Sequence, residues 1–372
     1  MLGVYVHLPF CPYVCPYCDF AKWPLRARGA QRYLQALYAE IENAPAARAA
    51  TLFLGGGTPN AYSSGDLAEL IARLRARFGA FEEASIEINP ELMRPDDFES
   101  YRESGITRLS IGVQSFEPNE IATLQRKHTV EQVEAVVAAA RRAGIASISL
   151  DLMFAVPGQT AASWRRSLER TIALGVDHVS TYGLTVEEGT PYARWREREP
   201  SAFFDDAAEA ELYAIAIDTL RNAGYEQYEI SNFARPGHRC RHNANYWANG
   251  EYLGFGVSAA SYRGGERSAH TRSLDAYADA ALADLPIPSE GERLEGPKRA
   301  GEAIMLALRT TQGVGLRDFK ERYGIDIVRH YAPVVARYCE AGLLERVGDS
   351  MRLTERGRFV ANDVCGAFVT FD

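Results

Sequence analysis

Long hydrophobic runs are missing from this sequence. None approaches the roughly 18 residues needed to span a bilayer, and Met1 runs straight into an apolar segment without the basic start of a signal peptide. A cytoplasmic protein is expected, with any attachment to membrane partners peripheral. Cysteine is scarce: six thiols in 372 residues cannot build a disulfide scaffold. Basic charge is in deficit, with 41 Lys and Arg against 49 Asp and Glu for a net charge of −8. Without a cationic excess to neutralise phosphates, no nucleic-acid partner is expected. There is no internal repeat and no low-complexity tract. The composition is that of a globular chain, 47% hydrophobic, long enough to fill one large domain and one small one.

Short apolar, β-branched runs alternate with amphipathic stretches from the N-terminus to about Gly183, which predicts βα units around a parallel sheet. The predicted strands are Gly3 to Leu8, Thr51 to Leu54, Ser85 to Ile88, Arg108 to Gly112, Ile148 to Met153 and His178 to Leu184. Helices such as Asp66 to Arg77, Glu131 to Ala143 and Ala161 to Leu174 lie between them. This is an α/β pattern and predicts a partial (β/α)6-type barrel over residues 1–190. Cys11, Gly55 to Thr58, Glu87, Gln114 and Asp151 each fall at or just past the C-terminal end of a different strand, where barrel enzymes build their sites. Residues 191–290 read as an elaboration of the barrel, with a helix near Ala207 to Ala223 and a strand near Tyr228 to Phe233. A polar linker is expected between Pro286 and Pro297. Residues 291–372 predict a small winged-helix-like domain, with a hairpin around Gly348 and a core of Leu316, Phe319, Ile325, Val328, Leu343 and Leu344. Cys339 and Cys365 are expected to be buried hydrophobes there.

Three of the six cysteines fall within eight residues. Cys11, Cys15 and Cys18 are spaced four and three apart, on a segment that Pro9, Pro12 and Pro16 keep from being a regular helix. Thiolates are the usual ligands of iron-sulfur clusters, and three of them leave one iron of a four-iron cluster open. The alternatives are a zinc site, which usually wants four ligands, and plain burial.

The cysteine spacing, with Tyr17 before the last thiol, resembles the signature of the radical S-adenosylmethionine (SAM) superfamily. That resemblance implies a [4Fe-4S] cluster on Cys11, Cys15 and Cys18 whose free iron binds SAM and cleaves it reductively. It also implies that Gly56, Gly57 and Thr58, in the run after the second strand, contact the SAM amino group. The sharper similarity is to the coproporphyrinogen-dehydrogenase-like branch. By that likeness Glu87 is the ribose-binding carboxylate, Gln114 and Arg126 contact SAM, Asp151 is the next acidic contact, and Tyr5 and Tyr17 are aromatic contacts.

Two activities share that branch: oxidative decarboxylation of coproporphyrinogen III, and haem binding and delivery. The dehydrogenases carry an N-terminal extension and a further cysteine two positions after the third ligand; here ten residues precede Cys11 and that position is Phe20. The segment His242-Asn243-Ala244-Asn245-Tyr246-Trp247 resembles the HNxxYW motif of the haem-chaperone group. This implies haem contacts at His242, Asn243, Tyr246 and Trp247, with His238 and Cys240 as rival iron ligands. The stretch Val257 to Ser261 lacks the histidine that relatives often carry. The expected function is a haem chaperone with haem as cargo; the alternative is the coproporphyrinogen III dehydrogenase. Expected partners are haem-accepting proteins, membrane-bound respiratory enzymes among them, a haem donor protein, and a second copy of the chain.

Overall fold

The computed structural model describes residues 1–369. Six parallel strands form its centre in chain order: β1 (Leu2–Leu8), β2 (Thr51–Gly56), β3 (Glu83–Ile88), β4 (Arg108–Gln114), β5 (Ser147–Phe154) and β6 (His178–Gly183). They then continue into β7 (Glu226–Gln227), β8 (Asn232–Ala234), β9 (Glu251–Phe255), β10 (Ala260–Arg263), β11 (Glu266–His270) and β12 (Ser289–Arg293). The resulting twelve-stranded sheet runs β12-β11-β10-β9-β1-β2-β3-β4-β5-β6-β8-β7. It is open, as a partial barrel must be.

Alternation along each strand explains why this sheet encloses a site. On β3 the outward Ala84, Ile86 and Ile88 are at most 2% exposed under the helices, while Glu83, Ser85 and Glu87 point to the inner face. Register carries the pattern across: Glu87 pairs with Ser110, Ser110 with Ser149, and Asp151 with Ser180. The inner face is therefore polar where most barrels pack branched apolar side chains. Crossover helices seal the outside, and three of them begin at side-chain caps. Ser63 caps Ser64–Phe78, while Thr129 with Gln132 and Thr160 with Ser163 form capping boxes on Val130–Ala143 and Ala161–Ala173.

The HNxxYW segment forms a helix, Arg241–Trp247, that leads into β9, a seventh parallel strand beside β1. Expectations for the linker and the small domain need correction. The expected linker holds β12, which pairs with β11. Its high polarity reflects an edge strand exposed along its whole length. In the small domain Cys365 is buried but Cys339 is exposed, and Val328 is 38% exposed while Phe319 and Leu344 are buried; short helices there present only one side to the core. That domain has its own hydrophobic cluster, and its hairpin pairs Leu344–Val347 with Ser350–Leu353. No helix among the described residues is long and apolar enough to cross a membrane.

Candidate functional site

A cavity of about 590 Å³ runs through the barrel interior, lined at its upper end by Cys11, Cys15 and Cys18 and at its floor by Cys240, His242, Asn243 and Tyr246. The cysteine loop is anchored on both sides. Phe10–Cys11 pairs with Trp23–Pro24, Leu25 N–H donates to the Cys11 carbonyl at 2.8 Å, and Thr58 N–H donates to the Phe10 carbonyl at 3.1 Å. His7 holds the loop from below: its Nε2 donates to the Ala21 carbonyl at 2.7 Å, so its Nδ1 is the bare nitrogen and accepts the Tyr5 hydroxyl at 3.0 Å.

Glycine is required where the loop meets β2. Gly56 has φ +106° with the His7 ring against it, and a Cβ on Gly57 would stand 2.6 Å from the Pro9 carbonyl carbon. The Gly56 N–H donates to Glu87 Oε2 at 3.2 Å, joining the glycine run to the carboxylate. Gln114 closes β4 at φ +66° beside a register shift, a strained conformation of the kind that clusters at binding sites.

Electrostatics set the middle of the cavity. Burial pushes the Glu87 carboxyl up to about 7, with the like charge of Asp151 adding and the Gly56 N–H opposing. Burial likewise raises Asp151 to about 6 against the serine hydroxyls that bond it. Neither carboxylate makes an ion pair among the described residues. Arg126 stands above them: its Nη2 donates to Asn89 Oδ1 at 2.7 Å and to the Gly112 carbonyl at 2.8 Å. Tyr17 lies edge-on to Tyr192, which grips the loop by donating its N–H to the Pro16 carbonyl at 3.3 Å.

These residues fit a cluster with an organic cofactor beneath it. The donor set is three thiols, and burial raises Cys11 and Cys18 as free thiols, so a metal is what would hold them as thiolates. No three His, Cys, Asp or Glu side chains among the described residues converge on a single-ion position, whereas each thiolate of a cubane reaches a different corner. Below them, two carboxylates without a cation, a buried unbonded Arg126 Nε and open backbone at Gly56 offer partners for a ligand carrying hydroxyls and charge.

Residues 5–171 match the Radical SAM superfamily and residues 294–360 match the HemN C-terminal domain. The heme chaperone HemW of Bacillus subtilis is 34% identical over 99% of this chain and 99% of its own. The HemW of Mycobacterium tuberculosis H37Rv is 38% identical over 97% and 93%. The chain belongs to the HemW family of radical SAM proteins. Its fold is also that of the Escherichia coli coproporphyrinogen III oxidase HemN, with a TM-score of 0.86 at 24% identity over 100% of this chain and 90% of that one.

In this HemW-family chain the cavity brings together Tyr5, Tyr17, Gly56, Gly57, Thr58, Glu87, Gln114, Arg126 and Asp151 with the three cysteines. The HNxxYW motif sits at the opposite, N-terminal end of the strands. His242 is 1% exposed, its Nδ1 is 2.9 Å from Thr51 Oγ1 and its Nε2 2.8 Å from the Tyr246 hydroxyl, and its ring stacks on Phe53. Burial drives its pKa down to about 3, so it is neutral. Asn243 and Tyr246 face the cavity, while Trp247 faces the small domain, under the Arg309 guanidinium at 5.1 Å. His238 is not among the lining residues, but Cys240 is. Sequence reasoning missed His7, Ser110, Ser149 and His178. Strand alternation could have found the serines: Ser149 is two residues before Asp151, and Ser110 is in register with Ser149.

Proposed function

We propose that this chain binds haem and delivers it to haem-dependent proteins, while holding a [4Fe-4S] cluster on Cys11, Cys15 and Cys18 and SAM in the upper barrel. The observation that carries this reading is similarity to heme chaperones along the whole chain. Phe20, at the position of the dehydrogenases' extra cysteine, supports it.

When bound, the cluster supplies an open iron site and one-electron chemistry. The protein's own part is placement. Glu87 would accept hydroxyl hydrogen bonds from the cofactor's sugar, Asp151 and Gln114 would bind beside it, Arg126 would hold its acidic end, and Tyr5 and Tyr17 would pack against its apolar parts. Gly56, Gly57 and Thr58 offer backbone to its amino acid end, and Thr58 also hydrogen-bonds Cys11.

Haem is assigned to the HNxxYW helix. His242 Nε2 reaches iron only by giving up the Tyr246 hydroxyl, so haem ligation there is coupled to movement of Tyr246 and Trp247, and through Arg309 to the small domain. The chain acts in the cytoplasm, with membrane-bound respiratory enzymes among its acceptors, a haem protein as donor, and a homodimer as its assembled form. Anaerobically reconstituted protein titrated with haem, and separately supplied with coproporphyrinogen III, SAM and reductant, tests the reading. Haem binding and transfer to an apo-acceptor are expected; formation of protoporphyrinogen IX would assign the dehydrogenase instead.

A further inference from the structure

We propose that His178 and Tyr228 are positioning residues for Asp151, tying this carboxylate to the seam with the small domain; the inference rests on the reading of Asp151 as a SAM contact. A chain of hydrogen bonds connects them through the barrel. The Tyr228 hydroxyl accepts the Cys240 N–H at 3.3 Å and lies 2.9 Å from His178 Nε2. His178 Nδ1 is 2.8 Å from Ser149 Oγ, which donates to Asp151 Oδ1 at 3.4 Å. One assignment uses every hydrogen: Tyr228 donates to Nε2, Nδ1–H donates to Ser149, and Ser149 donates to Asp151. Ser149 and His178 are 2% exposed and Tyr228 4%, so each link is made between protein groups.

The far end of the chain reaches another unit. The Tyr228 carbonyl accepts the Thr311 N–H at 3.1 Å, Ile230 N–H donates to the Arg309 carbonyl at 3.1 Å, and Arg358 donates to Gln227 Oε1 at 2.8 Å. The segment that carries Tyr228 is thus a contact between barrel and small domain.

The tautomer of His178 decides whether Ser149 points at Asp151. Without the Tyr228 hydroxyl, the ring is free to carry its hydrogen on Nε2; Nδ1 then accepts from Ser149, and Asp151 loses a donor to its charged form. The other groups facing Asp151 are Ser110, which donates at 2.8 and 3.0 Å, Ser180, Glu87, Arg126 and Tyr182. Arg108 and His238 face His178, and both disfavour its cation. Cys240, Glu229, Arg108 and Arg239 face Tyr228.

The test is calorimetric SAM affinity of the reconstituted full chain at pH 6.0 and 8.5, with iron content verified, for wild type, Tyr228→Phe, Ser149→Ala and Asp151→Asn. Tyr228→Phe and Ser149→Ala should bind close to wild type at pH 8.5 and lose a further ~3- to 10-fold at pH 6.0. Asp151→Asn should bind weakly at both. A Tyr228→Phe profile parallel to wild type, including uniformly weaker binding at both pH values, would overturn the relay. Wild-type affinity in Asp151→Asn would instead overturn the reading of Asp151 on which it rests.

Discussion

The Arg126 guanidinium stands 3.8 Å from the Cys15 sulfur through Nη1 while its Nη2 holds Asn89 and the Gly112 carbonyl. One side chain thus connects a cluster thiol to the carboxylate end of the cavity. Arg126→Ala should weaken SAM binding roughly 10- to 150-fold, the equivalent of losing a charged hydrogen bond worth about 1.5–3 kcal/mol. It should also lower cluster occupancy, because Arg126 Nη1 is the hydrogen-bond donor that holds the Cys15 sulfur in place. Arg126→Lys should fall between, since lysine lacks the fork that serves two partners at once. Iron content and calorimetry on the same preparations separate the two effects.

The cluster loop tolerates little change. Replacing any one of Cys11, Cys15 or Cys18 by Ala should remove most of the iron, since three thiolates are the minimum set here. Gly57→Ala should do much the same with every thiol intact, because the Cβ would be 2.6 Å from Pro9 C and 2.8 Å from the Leu8 carbonyl oxygen, and backbone cannot step aside as a flexible side chain does. Iron analysis and the visible charge-transfer absorption read both. Full iron in Gly57→Ala would mean the loop does not need this approach to β2.

Glu87 and Asp151 make SAM binding pH-dependent with a definite sign. Both carboxyls titrate above their ordinary values, at about 7 and about 6, so both are largely protonated at pH 5.5, and ionisation strengthens their acceptance of hydroxyl donors. Affinity should rise through the pH 6–7 window and level off above it. Stability of the ligand-free protein should move oppositely. The unfolded Glu loses its proton near 4.5 while the folded one keeps it, so stability falls as pH rises from there to about 7. Glu87→Gln should therefore raise the stability of the apo protein at pH 8 by roughly 1–3 kcal/mol, discounted because the carboxyl faces an open cavity, while weakening SAM binding at least tenfold. Thermal unfolding at two pH values checks the first effect, and calorimetry the second.

That Cys11, Gly56, Glu87, Gln114 and Asp151 line one cavity was legible because they fall toward the C-terminal ends of different strands, and strands follow from apolar runs of period two; Tyr5, Tyr17 and Arg126 lie at no strand end, and only the family resemblance pointed to them. The floor was less so. Arg241–Trp247 contains Asn243, Asn245 and two large aromatics, poor helix formers by local preference, and only tertiary contacts such as His242 N–H to Glu83 Oε1 at 3.0 Å show why the helix forms. Nothing in the spacing of the HNxxYW motif reveals that His242 spends both nitrogens on Thr51 and Tyr246, partners 191 and 4 residues away. The strand after it, Glu251–Phe255, is too short and glycine-rich to announce itself. Its place beside β1 is fixed by parallel pairing from Leu2↔Glu251 to Val6↔Phe255.

Haem titration of the reconstituted wild type, His242→Ala and Cys15→Ala, with a parallel assay for protoporphyrinogen IX, tests the central claim most directly. The wild type should bind haem and form no product from coproporphyrinogen III. His242→Ala should bind haem more weakly or with shifted absorption bands while keeping its iron-sulfur content, and Cys15→Ala should lose the cluster. Conversion of coproporphyrinogen III by the wild type, or no haem binding by it, would contradict the account.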